Sequence, residues 1–353
     1  KVESLYQKIK TWLEHGETAA LATVVQTWGS SPRPIGSQMA ISSNDELVGS
    51  VSGGCVENDV IVSALEVMRT SHSKLLKYSV SSENALAVGL SCGGEMEVFL
   101  QPFQNAGVQH DLLECVLAKK SAYYLLPLQN NQPFSGDILL FETDKPPDSH
   151  LQNNFELYPS PASELRKLPI EIQNKLQLQS NTAHLQTGRL SEDYFLLRLQ
   201  PPQQIIIVGA GHIAVKLAEL AAVLAFDCIV IDPRAAFITE ERFPKAEIHH
   251  KWPDKILPKL SLNQNTALVT LSHDPKIDDP AINWALTSGI NYIGALGSRS
   301  THAKRIERLQ EKGFSPEQIN RLHAPVGLDI AARTASEIAL SILAQIVQES
   351  HTA

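Results

Sequence analysis

The apolar positions change period several times along the first hundred residues. Val2–Glu14 carries its apolar residues at helical spacing, and Leu21–Thr27 then reads as a strand. A Gly/Ser/Pro-rich loop, Trp28–Ser37, separates it from Met39, Ile41 and Leu47–Val51, which predict two further strands. After Gly53-Gly54-Cys55, Val56, Val60, Ala64 and Val67 return to helical spacing, and Met96–Leu100 is another short strand. From Gln104 to Gln203 the signal weakens. Ala122–Leu126, Asp137–Phe141 and Tyr194–Leu199 predict strands, and the Gln/Asn/Pro-rich stretch Lys145–His184 reads as surface loops with one poor helix.

Beyond Pro201-Pro202 the pattern is different. Short β-branched or aliphatic runs, Ile205–Val208, Cys228–Ile231, Ala267–Leu271 and Tyr292–Leu296, alternate with helical patterns at His212–Ala225, Pro280–Ser288, Thr301–Lys312 and Ala335–Gln348. Such βαβ alternation predicts a doubly wound parallel sheet. The fold class expected is therefore α/β: a mixed α/β domain over residues 1–203 and a Rossmann-like domain over 204–353.

Composition narrows the functions available. The 353 residues carry a net charge of −8, about −7 of it up to Gln203 and −1 beyond. Neither half offers the positive field that nucleic-acid binding requires. No apolar run approaches the roughly 18 residues of a membrane span. Lys1–Leu13 lacks the apolar core of a signal peptide, and a first residue of Lys suggests that the true start lies upstream. Cys55, Cys92, Cys115 and Cys228 form no CxxC pair and no paired framework, which favours reduced thiols in the cytoplasm.

Two glycine-rich contexts carry candidate chemistry. In the second half, Gly209-Ala210-Gly211-His212-Ile213-Ala214 follows a predicted strand and opens a helix. Gly209 suits the tight turn, Gly211 lets backbone approach a pyrophosphate, and Ala214 permits close helix–strand packing. Asp232 ends the next strand, at the spacing where a carboxylate meets ribose hydroxyls. Arg234 suits either a 2′-phosphate or a pair with Asp232, so NAD and NADP both stay open, as does an empty scaffold. Ser298 and Arg299, after Gly294–Gly297, are candidates for an anion nest. His273, Asp274, Asp278 and Asp279 sit in a loop setting that favours turns and helix capping over metal binding.

In the first half, Cys55 follows Gly53-Gly54 and Cys92 precedes Gly93-Gly94. Cys55 falls at a predicted helix N-terminus, which favours thiolate, and paired glycines leave room for a ligand. Buried inert cysteines in tight turns are the alternative. Ser30, Ser31, Arg33 and Ser37 give the Gly29–Ser37 loop the donors to cradle a phosphate or carboxylate.

These blocks together carry a resemblance. Gly29–Ser37, Gly49–Glu57 and Cys92–Gly94 resemble the signatures of the xanthine dehydrogenase accessory (XdhC/CoxI) family. The second half is similar to its Rossmann domain at Val208–Ala214, Asp232–Arg234, Arg242–Pro244, Tyr292–Arg299 and His323–Ile330, departing mildly at Ala331–Ala335. The resemblance implies a cytoplasmic maturation factor that binds molybdenum cofactor, supports its sulfuration by a cysteine desulfurase, and delivers it to an apo molybdenum hydroxylase. It also implies a homodimer. An NAD(P)-dependent oxidoreductase and a cofactor-free adaptor are the rival readings. Xanthine oxidation by this chain alone is not expected, because iron–sulfur cysteine spacings are missing.

Overall fold

The computed structural model describes residues 2–28, 33–54, 56–78, 95–142, 155–158, 167–180, 185–263 and 265–352. Ser30, Ser31, Cys55 and Cys92 therefore lie outside the described residues. The chain divides into two compact units, Lys1–Gln200 and Pro201–Ala353.

The first unit begins with α1 (Val2–Glu14), β1 (Ala19–Trp28), β2 (Gln38–Ser42), β3 (Leu47–Gly49), α2 (Glu57–Thr70), β4 (His72–Tyr78) and β5 (Glu95–Phe103). It continues with α3 (Gly107–Leu117), β6 (Ala122–Pro127), β7 (Gln132–Pro133), β8 (Ile138–Glu142) and β9 (Phe155–Tyr158). The last elements are α4 (Ile170–Ser180), β10 (Gly188–Ser191) and β11 (Tyr194–Leu199). One antiparallel sheet has the order β3-β2-β1-β5-β4-β7, and a second has the order β10-β11-β6-β8-β9.

Alternation along β1 sets the layers. Ala20, Ala22 and Val24 face the stripe Val56, Val60, Ala64 and Val67 of α2 and its approach. Ala19, Leu21 and Val25 face the opposite way, into a core shared with Tyr6, Ile9 and Trp12 of α1 and Leu112 and Leu113 of α3. Tyr124, Leu126, Phe195 and Leu197 of the second sheet join that core. Their strand neighbours Tyr123, Leu125 and Leu196 turn outward to Ile172 and Leu176 of α4. The period-2 strands of this unit are thus buried on both faces.

The second unit contains β12 (Gln204–Val208), α5 (His212–Val223), β13 (Asp227–Ile231), β14 (Glu247–His249), α6 (Pro253–Ile256) and β15 (Thr266–Thr270). It closes with α7 (Pro275–Thr287), β16 (Tyr292–Ala295), α8 (Arg299–Glu311), α9 (Pro316–Asn320), β17 (Leu322–His323) and α10 (Ala335–Thr352). All the ladders are parallel, in the order β14-β13-β12-β15-β16-β17. Counted along the unit this is 3-2-1-4-5-6, the order of dinucleotide-binding folds. The expected parallel sheet is borne out, with Gly209 at the carboxyl end of its first strand. Apolar cores cover both faces. No helix among the described residues is long and apolar enough to cross a membrane.

Candidate functional site

In the first unit, strand register brings the described residues that border 29–32 and 79–94 to one end of a sheet. The chain leaves β1 at Trp28, opposite Glu95, where it enters β5. β4 ends at Tyr78, paired with Met96. Trp28, Tyr78 and Glu95, which border 29–32 and 79–94, therefore share one end of the sheet. Gln38 opens β2 opposite Thr23, and Gly49 closes β3 against Met39, both level with the middle of β1 and not with its Trp28 end. Arg33 is exposed and Ser37 half-buried, its carbonyl accepting from Val24 N–H at 2.9 Å.

One carboxylate braces the loop that leads to Cys55. Glu57 Oε1 accepts the Ser52 N–H at 3.0 Å and lies 3.1 Å from Ser50 Oγ, while Ser52 Oγ donates to Glu57 Oε2. Ser52 Oγ in turn accepts the Gly54 and Val56 N–H groups, at 3.2 and 3.4 Å. Burial pushes the Glu57 carboxyl up, but the Ser52 and Ser50 bonds outweigh it and hold the pKa below the usual range. Gly53 and Gly54 stay exposed on this brace. Gly54 has φ +108° and open space where a Cβ would project. The arrangement leaves backbone accessible to a ligand beside the position of Cys55. Glu57 was visible only as part of the family block; nothing in its spacing marked it as the residue that orders the loop. A second tie at this end runs from Tyr78 OH to Asp59 Oδ2, 2.6 Å, joining β4 to the first turn of α2.

In the second unit, the glycine loop has the geometry of a dinucleotide turn but an occupied carboxylate. Gly209 has φ +98°, and a Cβ on it would meet Ser272 N at 2.5 Å. Ala214 is fully buried in the helix–sheet core, and His212 opens α5 on the exposed side. Asp232 has no exposed surface. Its Oδ2 accepts from Ala210 N–H and Arg234 Nη2, both at 2.7 Å. Its Oδ1 accepts from Arg234 N–H at 2.8 Å and Arg234 Nε at 2.9 Å. Of the two roles open to Arg234, the structure shows the pair with Asp232. Its guanidinium also lies over the Phe237 ring, 4.4 Å from the centroid. Both Asp232 oxygens are doubly engaged by this chain itself, which leaves no lone pair directed at a ribose.

The loop after β15 behaves as a cap, as its composition suggested. Asp274 caps α7 by accepting Lys276 N–H at 2.9 Å, and Asp278 receives Ser272 Oγ–H at 2.6 Å. Asp279 receives a two-pronged bond from Arg308, at 2.7 and 3.0 Å. Ser298 caps α8, accepting Thr301 N–H at 3.2 Å, and Arg299 is exposed. The block after His323 packs against β16: a Cβ on Gly294 would meet Val326 at 2.5 Å. Gln345 of α10 accepts from both Tyr292 OH and Gly327 N–H.

Comparison with known proteins agrees with both halves. Residues 12–79 match the model of the XdhC and CoxI family, and residues 205–346 match the XdhC Rossmann domain. A protein of Bacillus subtilis (strain 168) named as a probable xanthine dehydrogenase subunit is 31% identical over 348 residues, covering 95% of this chain and 94% of its own. The chain belongs to the XdhC and CoxI family. A second relative, the "Molybdenum cofactor insertion chaperone PaoD" of Escherichia coli (strain K12), is 27% identical over 95% of this chain and 84% of its own. The crystal structure of a protein described as a xanthine dehydrogenase from Bacillus halodurans shares the fold, with a TM-score of 0.69 at 24% identity. That alignment covers 98% of this chain and 96% of the other.

Proposed function

We propose that this XdhC/CoxI protein binds molybdenum cofactor, supports its sulfuration with a cysteine desulfurase, and inserts it into a xanthine dehydrogenase-type apo-enzyme. The name of the Escherichia coli relative supports the insertion step. The observation that carries the rest is the register of the first unit's sheet. Trp28, Tyr78 and Glu95 lie at one end, and Tyr78 bonds Asp59 in the first turn of α2, which supports a common edge for the anion-cradling loop and both glycine–cysteine elements. A phosphorylated pterin with a dithiolene-held metal needs this combination of hydrogen-bond donors, accessible backbone and soft sulfur. Cys55 and Cys92 are the sulfurs in this reading, with Ser30, Ser31, Arg33 and Ser37 on the phosphate. A cytoplasmic homodimer completes the proposal.

The test is activation of an apo molybdenum hydroxylase by the Cys55→Ala, Cys92→Ala double variant, with circular dichroism to follow folding. A folded variant is expected to lose delivery of sulfurated cofactor. Full activation would remove sulfur chemistry from the protein's role. A second reading, NAD(P) at the glycine loop, draws support from the strand order and the Gly209 turn. It requires Arg234 to release Asp232, so NADH binding would strengthen on Arg234→Met if a ribose uses that carboxylate.

A further inference from the structure

The carboxyl ends of β15 and β16 enclose a cavity of about 170 Å³ lined by His273, Asp278, Ser300, Thr301, Lys304 and Arg305, with Arg308 and Asp279 beside them. Arg305 is 3% exposed. Its Nη2 donates to the Leu296 carbonyl at 3.1 Å, while Nε and Nη1 have no hydrogen-bond partner among the described residues. A buried guanidinium with unpartnered donors is costly, and its own protein leaves it incomplete. Burial pulls its pKa down, with the nearby Asp278 and Asp279 acting in the opposite direction.

The surroundings define what would complete it. Asp279 is neutralised by the Arg308 fork, and Asp278 is turned to Ser272. Among the described residues no carboxylate is hydrogen-bonded to Arg305, and three cations stand against two acids around the cavity. Ser300 and Thr301 lie in the first turn of α8, a helix of 13 residues whose N-terminal dipole favours negative charge. Lys304 follows one turn later on the exposed side. The space is below the roughly 300 Å³ of a pocket for a whole organic ligand, so it selects a small charged group.

We propose that this cavity is an oxyanion site that takes a phosphate group, free or on a small phosphomonoester, held by Arg305, Lys304 and the first turn of α8. The site belongs to the second unit alone and does not depend on the function proposed above. Inorganic phosphate titrated into the full metal-free chain by calorimetry, at fixed ionic strength, reads it separately. Glycerol 3-phosphate provides a second arm.

Saturable binding is expected, weakened about tenfold by Lys304→Ala and by at least as much by Arg305→Lys, which keeps the charge and removes the fork. Lys304 is exposed, so its variant answers the question even if Arg305→Lys unfolds. Tighter binding of glycerol 3-phosphate than of phosphate assigns the site to a phosphorylated metabolite. The reverse order assigns it to free phosphate, and both support an oxyanion site. No saturation with either probe, or unchanged affinity in Lys304→Ala, overturns it.

Discussion

Replacing Arg234 with Met tests whether Asp232 is structural. The carboxylate has no exposed surface and relies on the guanidinium for two of its four hydrogen bonds, at 2.9 and 2.7 Å. Two charge-assisted bonds carry a gross value of about 3–6 kcal/mol. The Arg234 side chain is 39% exposed, so water screens the pair and partly replaces the lost donors. A net loss of about 2–3 kcal/mol is expected at pH 7. For a unit of this size that lowers Tm by roughly 4–12 °C, read by urea and thermal unfolding. The pH dependence has a defined sign. Burial pushes the Asp232 pKa up, but the Arg234 fork and two N–H bonds outweigh it, so the folded pKa lies below the ordinary value. The stabilisation is therefore complete above about pH 4 and fades as pH falls through the folded pKa. The gap between the natural protein and Arg234→Met should narrow over that acid range. Adding Asp232→Asn to Arg234→Met should recover about 1 kcal/mol, because the buried charge is gone. A loss under about 0.5 kcal/mol at pH 7, or an equal loss at about pH 3, would refute the reasoning.

Two further outcomes follow from the same geometry. Gly209→Ala places a Cβ 2.5 Å from Ser272 N and 2.7 Å from its Cα, at φ +98°, where the clashing atoms are backbone. It should cost about 2–4 kcal/mol in urea unfolding, and a neutral result would mean that the two loops are not packed together. Burial pushes the thiols of Cys115 and Cys228 up to about 11 and about 12. At about pH 7.5 they should resist a thiol reagent until denaturant is added, leaving Cys55 and Cys92 to account for native labelling. Fast labelling of the folded Cys55→Ala, Cys92→Ala variant would contradict that.

The sequence was most legible where one period ran unbroken. Val2–Glu14 and Tyr194–Leu199 match the observed elements end to end, and the four main parallel strands lie within a residue of expectation at either end. The elements left unassigned have weaker local signals. β4, with Lys74 and Lys77 among its apolar residues, gains its strand character from pairing with β5. β14 and β17 are three and two residues long, too short for a period to show. α3 carries His110, Asp111 and Glu114 and is ordered by packing Leu112 and Leu113 into the first unit's core. β9 and α4 fall in the stretch read as loops with one poor helix; β9 is a strand through its pairing with β8. Among site residues, glycine turns were legible because backbone conformation restricts them to glycine. Arg305 was not, because an Arg on a helical stripe looks solvated until its burial is known.

The second unit separates two kinds of polar side chain that look alike in sequence. Asp232, Asp274 and Ser298 stand at strand ends and helix starts, where a nucleotide-binding fold places its ligand contacts. Each is occupied by its own chain: Asp232 by Ala210 and Arg234, Asp274 by Lys276, Ser298 by Thr301. A ligand engaging them must first break an existing bond, and only the difference between the two bonds remains as affinity. Arg305 stands at the opposite limit. Two of its donors are already removed from water and without acceptors among the described residues, so that desolvation cost lies in the fold and not in the binding step. An oxyanion that reaches those donors gains nearly the full charge-assisted interaction. In this unit, affinity for an anion is therefore expected to reside at the α8 cavity, while the glycine loop and Asp232 hold the switch point of the sheet together.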